Sequence, residues 1–127
     1  MSRTWKWKWI GLINKNITLN NLSISSAKSI DWRNLQKSEI EDSFDVIFAL
    51  ECVYREDLYQ PLISAILKYI HSRSVVFLGM TKQFTKPSFF ELLVSSGLCY
   101  RMIPFEYLCK SNDNLADNIG LFVLYTY

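Results

Sequence analysis

The order of elements legible in this chain predicts an α/β fold, a mostly parallel sheet flanked by helices with a C-terminal antiparallel hairpin. Three observations predict it. Phe44–Leu50 and Ser74–Gly79 are short, continuous apolar runs, and strands of that kind lie in parallel sheets covered by helices on both faces. Apolar residues at helical spacing follow each run, which makes the middle of the chain read βαβα. Two last apolar runs, Leu98–Phe105 and Ile119–Tyr127, are separated by the polar stretch 110–118, which reads as a turn between antiparallel strands.

The elements follow in order. Residues 1–9 alternate as Trp5, Lys6, Trp7, Lys8, Trp9, and period two suggests an extended piece with one aromatic edge. Trp9, Leu12, Ile13 and Ile17 then fit a short amphipathic helix ending near Asn20-Asn21. Leu22, Ile24, Ser26, Lys28 and Ile30 alternate weakly, a half-buried strand that stops at Asp31-Trp32, and the polar residues 33–43 read as a surface loop. After Phe44–Leu50, Asp57-Leu58 opens a helix with an apolar stripe of Leu58, Leu62, Ile66, Tyr69 and Ile70, and Pro61 is tolerated in its first turn. Pro87 or Ser88 starts the next helix, through Phe89, Phe90, Leu92, Leu93 and Val94, with Gly97 as a left-handed terminator.

Composition narrows the class. At 127 residues the chain has the length of one domain, and 50% hydrophobic with 15% aromatic residues suffices for a packed core. Fourteen basic against twelve acidic side chains give +2, too balanced to point to nucleic acid. No apolar stretch reaches the roughly 18–20 residues that span a bilayer, and the Trp/Lys-rich start is not a signal peptide. Cys52, Cys99 and Cys109 are odd in number and irregularly spaced, which suits reduced thiols in a cytoplasmic or nuclear protein. With His71 as the single histidine, and a surface cap by its position, the chain has no metal-ligand pairs and no metal site is expected. Trp5, Trp7 and Trp9 with Arg3, Lys6 and Lys8 carry too few cations for a membrane or nucleic-acid surface and suit a segment that packs on the sheet.

Ligands of open α/β sheets lie beyond the carboxyl ends of the strands. Glu51 and Tyr54 stand just past Leu50, so a carboxylate and a phenol occupy that position. Their alternative roles are structural, a helix-cap carboxylate and a core tyrosine.

Four motifs in order bring a resemblance. Leu12-Ile13-Asn14-Lys15-Asn16-Ile17-Thr18-Leu19-Asn20 is similar to an LL-x-x-N-x-x-x-N helix, and Ser29-Ile30-Asp31-Trp32 to an LDW strand end. Glu51-Cys52-Val53-Tyr54 resembles a DxxY motif with Glu for Asp, and Phe89-Phe90-Glu91-Leu92-Leu93 with Gly97 resembles FF-x-x-L…GF. Together they resemble the methyltransferase-like protein-lysine methyltransferases, of the class I S-adenosylmethionine-dependent methyltransferase fold, across residues 10–127. The resemblance implies direct methyl transfer from S-adenosylmethionine to a lysine side chain of a protein substrate. It implies Glu51 and Tyr54 as catalytic residues, and Asp31, Trp32 and Glu51 as cofactor-binding residues, with Asp31 and Trp32 beside the adenine.

The family's glycine-rich cofactor turn has no counterpart, because Gly11, Gly79, Gly97 and Gly120 are far apart. By the resemblance the chain is a single incomplete methyltransferase domain, lacking the first two strands, with residues 1–9 unmatched. A truncated gene product, a splice form or a degenerate copy would each look like this. Absence of the strand that the family places next to Phe44–Leu50 leaves that strand with an apolar edge, which invites self-association or pairing with another chain. A catalytically inactive, protein-binding module is the rival expectation.

Overall fold

The computed structural model describes residues 3–38, 40–104, 106 and 118–126. The chain divides into two compact units, Met1–Glu41 and Asp42–Tyr127.

The first unit is built on one helix, α1 (Arg3–Leu19). The helix runs through the Trp/Lys segment, so the extended piece expected over residues 1–9 is a helix from Arg3 onward. Lysine and tryptophan both tolerate helix, and adding a turn to an existing helix costs far less than nucleating one. Its end falls where the asparagines predict. Asn21 has φ 55, and the Leu22 N–H donates to the Ile17 carbonyl at 3.0 Å, the bond that closes a left-handed helix cap. Strand is absent from Leu22–Ile30. Ile24 is fully exposed, and the alternating apolar side chains that suggested a strand have no sheet to join.

Among its described residues the second unit has four strands and two α-helices. The strands are β1 (Val46–Leu50), β2 (Val75–Thr81), β3 (Leu98–Met102) and β4 (Ile119–Thr126). Helix α2 (Tyr59–Tyr69) joins β1 to β2, and α3 (Pro87–Ser95) joins β2 to β3. The sheet order is β1-β2-β4-β3. β1 and β2 are parallel, with Val46 beside Val75 and Leu50 beside Gly79. β4 is antiparallel to both β2 and β3. The sheet is thus mixed, with one parallel pair among its described neighbours, where a mostly parallel sheet was expected. The antiparallel β3–β4 pair at one side agrees with the sequence. The turn expected at 110–118 lies outside the described residues except for Asn118.

One face of the sheet makes the core. Ala49, Val76, Leu78, Met80, Phe122 and Leu124 are buried there, beneath Tyr59, Leu62, Ile63, Ile66 and Tyr69 of α2 and Phe89 and Leu93 of α3. Tyr59 meets Phe89 edge-on at 5.1 Å, and Phe90 lies 5.1 Å from Phe122 and 5.0 Å from Tyr100, close enough for aromatic pairing to add to area burial. The stripe of α2 was legible in Leu62, Ile66 and Tyr69, while Leu58 and Ile70 are only half-buried. β1 is not covered on both faces as its apolar run suggested: Phe48 is 68% exposed, whereas Ala49 next to it is buried. An apolar run reads the same whether one face or two are covered, so periodicity could not decide.

The α2–β2 turn is tied to the start of β1. Buried Ser74 donates its hydroxyl to the Phe44 carbonyl at 2.6 Å and accepts the His71 N–H at 2.8 Å. The Phe44 N–H donates to the Tyr69 carbonyl at 2.8 Å, and the Val75 N–H to the Asp45 carbonyl at 2.9 Å. His71 is more than a surface cap. Its Nδ1 accepts the Arg73 N–H at 3.1 Å, which leaves Nε2 to donate to Asp45 at 2.6 Å.

Ser74→Ala removes the donor to Phe44 and the acceptor for His71, and urea unfolding should show a loss of about 1–3 kcal/mol. Gly97 has φ +88 and open space around it; Gly97→Ala should therefore cost about 1–2 kcal/mol from backbone strain alone, read from the same unfolding curves.

Candidate functional site

The parallel pairing of β1 and β2 brings their carboxyl ends side by side, and the polar residues that follow each strand meet there. Glu51 continues the ladder for one bond, its N–H donating to the Gly79 carbonyl at 2.9 Å. A Cβ at Gly79 would stand 2.9 Å from Cδ2 of the exposed Leu50 side chain, a contact that a small shift of that leucine relieves. At Glu51 the chain leaves the sheet with φ 56, a left-handed conformation that costs a residue with a Cβ about 1–2 kcal/mol. Strained residues of this kind gather at functional sites, and an observed outlier is a reason to look for one.

The Glu51 carboxylate is fixed from the neighbouring strand. Thr81, the last residue of β2, places its hydroxyl 3.1 and 3.2 Å from the two carboxylate oxygens and donates to them. Both loops are stitched further along. The Thr85 hydroxyl lies 3.3 Å from the carbonyls of Val53 and of Thr81. The Lys86 N–H donates to the hydroxyl oxygen of buried Tyr59 at 3.0 Å, and Lys86 Nζ pairs with Glu56 at 2.6 Å. That ion pair raises the Lys86 pKa, first through its hydrogen bond to Glu56. Arg55 grips Asp57 with two hydrogen bonds at 3.0 and 2.7 Å. Exposed pairs add little stability, so the threonines and Tyr59 do most of the holding.

The sequence-predicted residues are distributed as follows. Glu51 and Tyr54 stand on the one loop after β1, both exposed, so Tyr54 is not a core residue. Cys52, between them, is half-buried and donates to the Leu50 carbonyl at 3.4 Å; burial, and then the Glu51 charge, push its thiol pKa up. It stays a thiol, a poor nucleophile. Asp31 and Trp32 belong to the first unit. Asp31 is exposed, with Oδ1 accepting the Arg33 N–H at 3.0 Å in a turn, and Trp32 is half-buried. Among the described residues no group of three His, Cys, Asp or Glu is placed to hold a metal ion, and no helix is long and apolar enough to cross a membrane. Cys52 and Cys99 are free thiols, and Cys109 lies outside the described residues.

Sequence reasoning missed Thr81 and Thr85. The rule that drew attention to Glu51, polar residues just beyond a buried strand, applies equally to Thr81 after Val75–Met80. It went unused because the hydroxyl carries no charge.

A protein family described as lysine methyltransferase matches this chain over residues 6–96, from α1 past the end of α3. No curated protein matches it.

Thr81→Val keeps the shape of the side chain and removes the donor. The stability cost at this exposed site should be about 0.5–1.5 kcal/mol. In a double-mutant cycle with Glu51→Ala, which removes the acceptor, the two changes should fall short of additivity, because each breaks the same bond.

Proposed function

Because the chain belongs to the lysine methyltransferase family, we propose that its domain carries S-adenosylmethionine-dependent methyl transfer to the ε-amine of a lysine in a protein substrate. The observation that carries this reading furthest is Glu51, held at φ 56 with its carboxylate fixed by Thr81 at the paired carboxyl ends of β1 and β2. A carboxylate in that position attracts a lysine ammonium and orients its N–H bonds. The Tyr54 hydroxyl, exposed on the same loop, can hydrogen-bond the same nitrogen. Neither group needs to form a covalent bond, since methyl transfer depends mainly on alignment of the amine.

S-adenosylmethionine, when bound, supplies an electrophilic methyl group. The chemistry of several residues fits parts of that molecule. Adenine needs an acceptor for its exocyclic amine and an aromatic wall, and the exposed carboxylate of Asp31 and half-buried Trp32 have the chemistry for these. Glu51 is the remaining acceptor on our reading. The glycines supply no turn for close backbone approach: Gly11 is within α1, Gly79 and Gly120 are within strands, and Gly97 ends α3. That placement favours a second reading, a methyltransferase-like module that binds a protein without turnover. In either case the free thiols Cys52 and Cys99 suit a cytosolic or nuclear protein.

Calorimetric titration with S-adenosylhomocysteine separates the two readings. Micromolar binding, weakened about tenfold or more by Asp31→Ala, supports the enzyme; a tenfold loss is about 1.4 kcal/mol. Glu51→Gln should then lower methyl transfer to a lysine-containing protein about a hundredfold and also weaken binding of S-adenosylhomocysteine, since Glu51 is one of the cofactor's acceptors on this reading. Absence of binding by a folded sample would leave the protein-binding module.

A further inference from the structure

The loops after β1 and β2 are held in one fixed relation by two threonines. The Thr81 hydroxyl donates to the Glu51 carboxylate. The Thr81 carbonyl stands 3.3 Å from the Thr85 hydroxyl, which lies equally close to the carbonyl of buried Val53. Tyr54 follows one side of that bridge, and Phe84 precedes the other. Phe84 closes a single 3₁₀ turn, Lys82–Phe84, sealed by the Thr85 N–H on the Lys82 carbonyl at 3.1 Å. Bond lengths across the bridge keep the α-carbons of Tyr54 and Phe84 within about 12 Å of each other, the span of about four residues of extended peptide. Both side chains are large, aromatic and open to solvent, at 55% and 57% exposure.

The charged side chains of the same loops are committed elsewhere. Arg55 pairs with Asp57, and Lys86 with Glu56. Lys82 lies over Gly120 of β4, with Cγ and Cε 3.6 Å from where a Cβ there would stand. Gly120 is opposite Met80 in the ladder, so Lys82 is on the Met80 side of the sheet, and Thr81, opposite Ile119, faces the other way. What the described residues of these loops offer beside the Glu51 carboxylate is therefore aromatic surface.

We propose that Tyr54 and Phe84 select the substrate, taking a lysine that has a bulky apolar residue within two positions of it. Glu51 is, on the functional reading above, the partner of that lysine's ammonium, and the selection rests on that reading. A lysine side chain is an apolar stem with a charged end, so a carboxylate beside exposed rings matches it along its length. One ring covers the stem, and the other is left for the neighbouring residue. An acidic neighbour would lose hydration against an aromatic surface and gain no partner, and a small one would leave the ring wet. Aromatic side chains fixed close to a functional group are the usual anchors of a binding surface.

Three peptides of equal length test this, each with one lysine flanked on both sides by leucine, by serine or by aspartate. Fluorescence anisotropy with the full chain should show the leucine-flanked peptide bound about tenfold tighter than the other two, the effect of burying one large apolar side chain. Phe84→Ser should bring the three affinities within about twofold of one another, and Phe84→Leu should keep most of the preference. Circular dichroism should stay native for both, since the side chain is at the surface. Equal binding of the three peptides, no binding of any of them, or a preference that survives both Phe84→Ser and Tyr54→Ser overturns the proposal. Methyl transfer to the same peptides is read separately. A preference in binding with no transfer removes the enzymatic reading and leaves the selection standing.

Discussion

The second unit depends on the alignment of β1 with β2, and that alignment is set by a buried hydroxyl. Two parallel strands joined by a helix share no tight turn to fix their register, so something else must do it. Ser74 does, by bonding simultaneously to Phe44 at the start of β1 and to His71 at the end of the crossover. A buried hydroxyl with both functions satisfied gains from its surroundings, where an unsatisfied one would oppose folding. The contrast is in the same unit: the buried hydroxyl of Ser88 has no hydrogen-bond partner among the described residues.

Register at one end of the strands determines geometry at the other. With Val46 beside Val75, Leu50 falls beside Gly79, and the next residues outward are Glu51 and, on β2, Met80 and Thr81. A slip of one residue would turn Thr81 to the opposite face and leave Glu51 without its donor. The strained backbone at Glu51 is tolerable because bonds on both sides over-determine it, the amide to Gly79 and the carboxylate to Thr81. The geometry of the loop after β1 is in this sense a consequence of the turn at the far end of the sheet.

How much of this could be read from residues depends on whether a feature is local. The helix stops at Asn21 and Gly97 were legible because a left-handed residue leaves a chemical signature, Asn or Gly after an apolar stripe. Both apolar strands and α2 were legible for a similar reason, since a run of Val, Ile, Leu and Phe and a stripe at spacings of three and four are properties of the segment itself. The Trp/Lys alternation misled because period two in sequence does not compel extension when each residue also tolerates helix. Leu22–Ile30 misled in the opposite sense: its pattern was right for a strand, but a strand needs a neighbour, and neighbours are not local. The same limit hid the antiparallel pairing of β4 with β2 and the hydroxyl that reaches Glu51. Glu51 and Tyr54 were found by position, past the end of an apolar run, and no sequence rule placed Thr81 thirty residues away against the carboxylate.

Among the described strands β4 comes last in the chain and lies between two that precede it. During synthesis β2 therefore emerges with β1 on one side and nothing on the other, and β3 emerges with no strand to pair with at all. The β1–α2–β2 unit, which is completed first along the chain, can form while the rest is still being made. The remaining half of the sheet must wait for Ile119–Thr126 to slide between Val76–Thr81 and Leu98–Met102. Until then two apolar edges stand open, and the interval over which a nascent chain is most exposed to misassociation is set by how long the ribosome takes to translate the stretch between Met102 and Thr126.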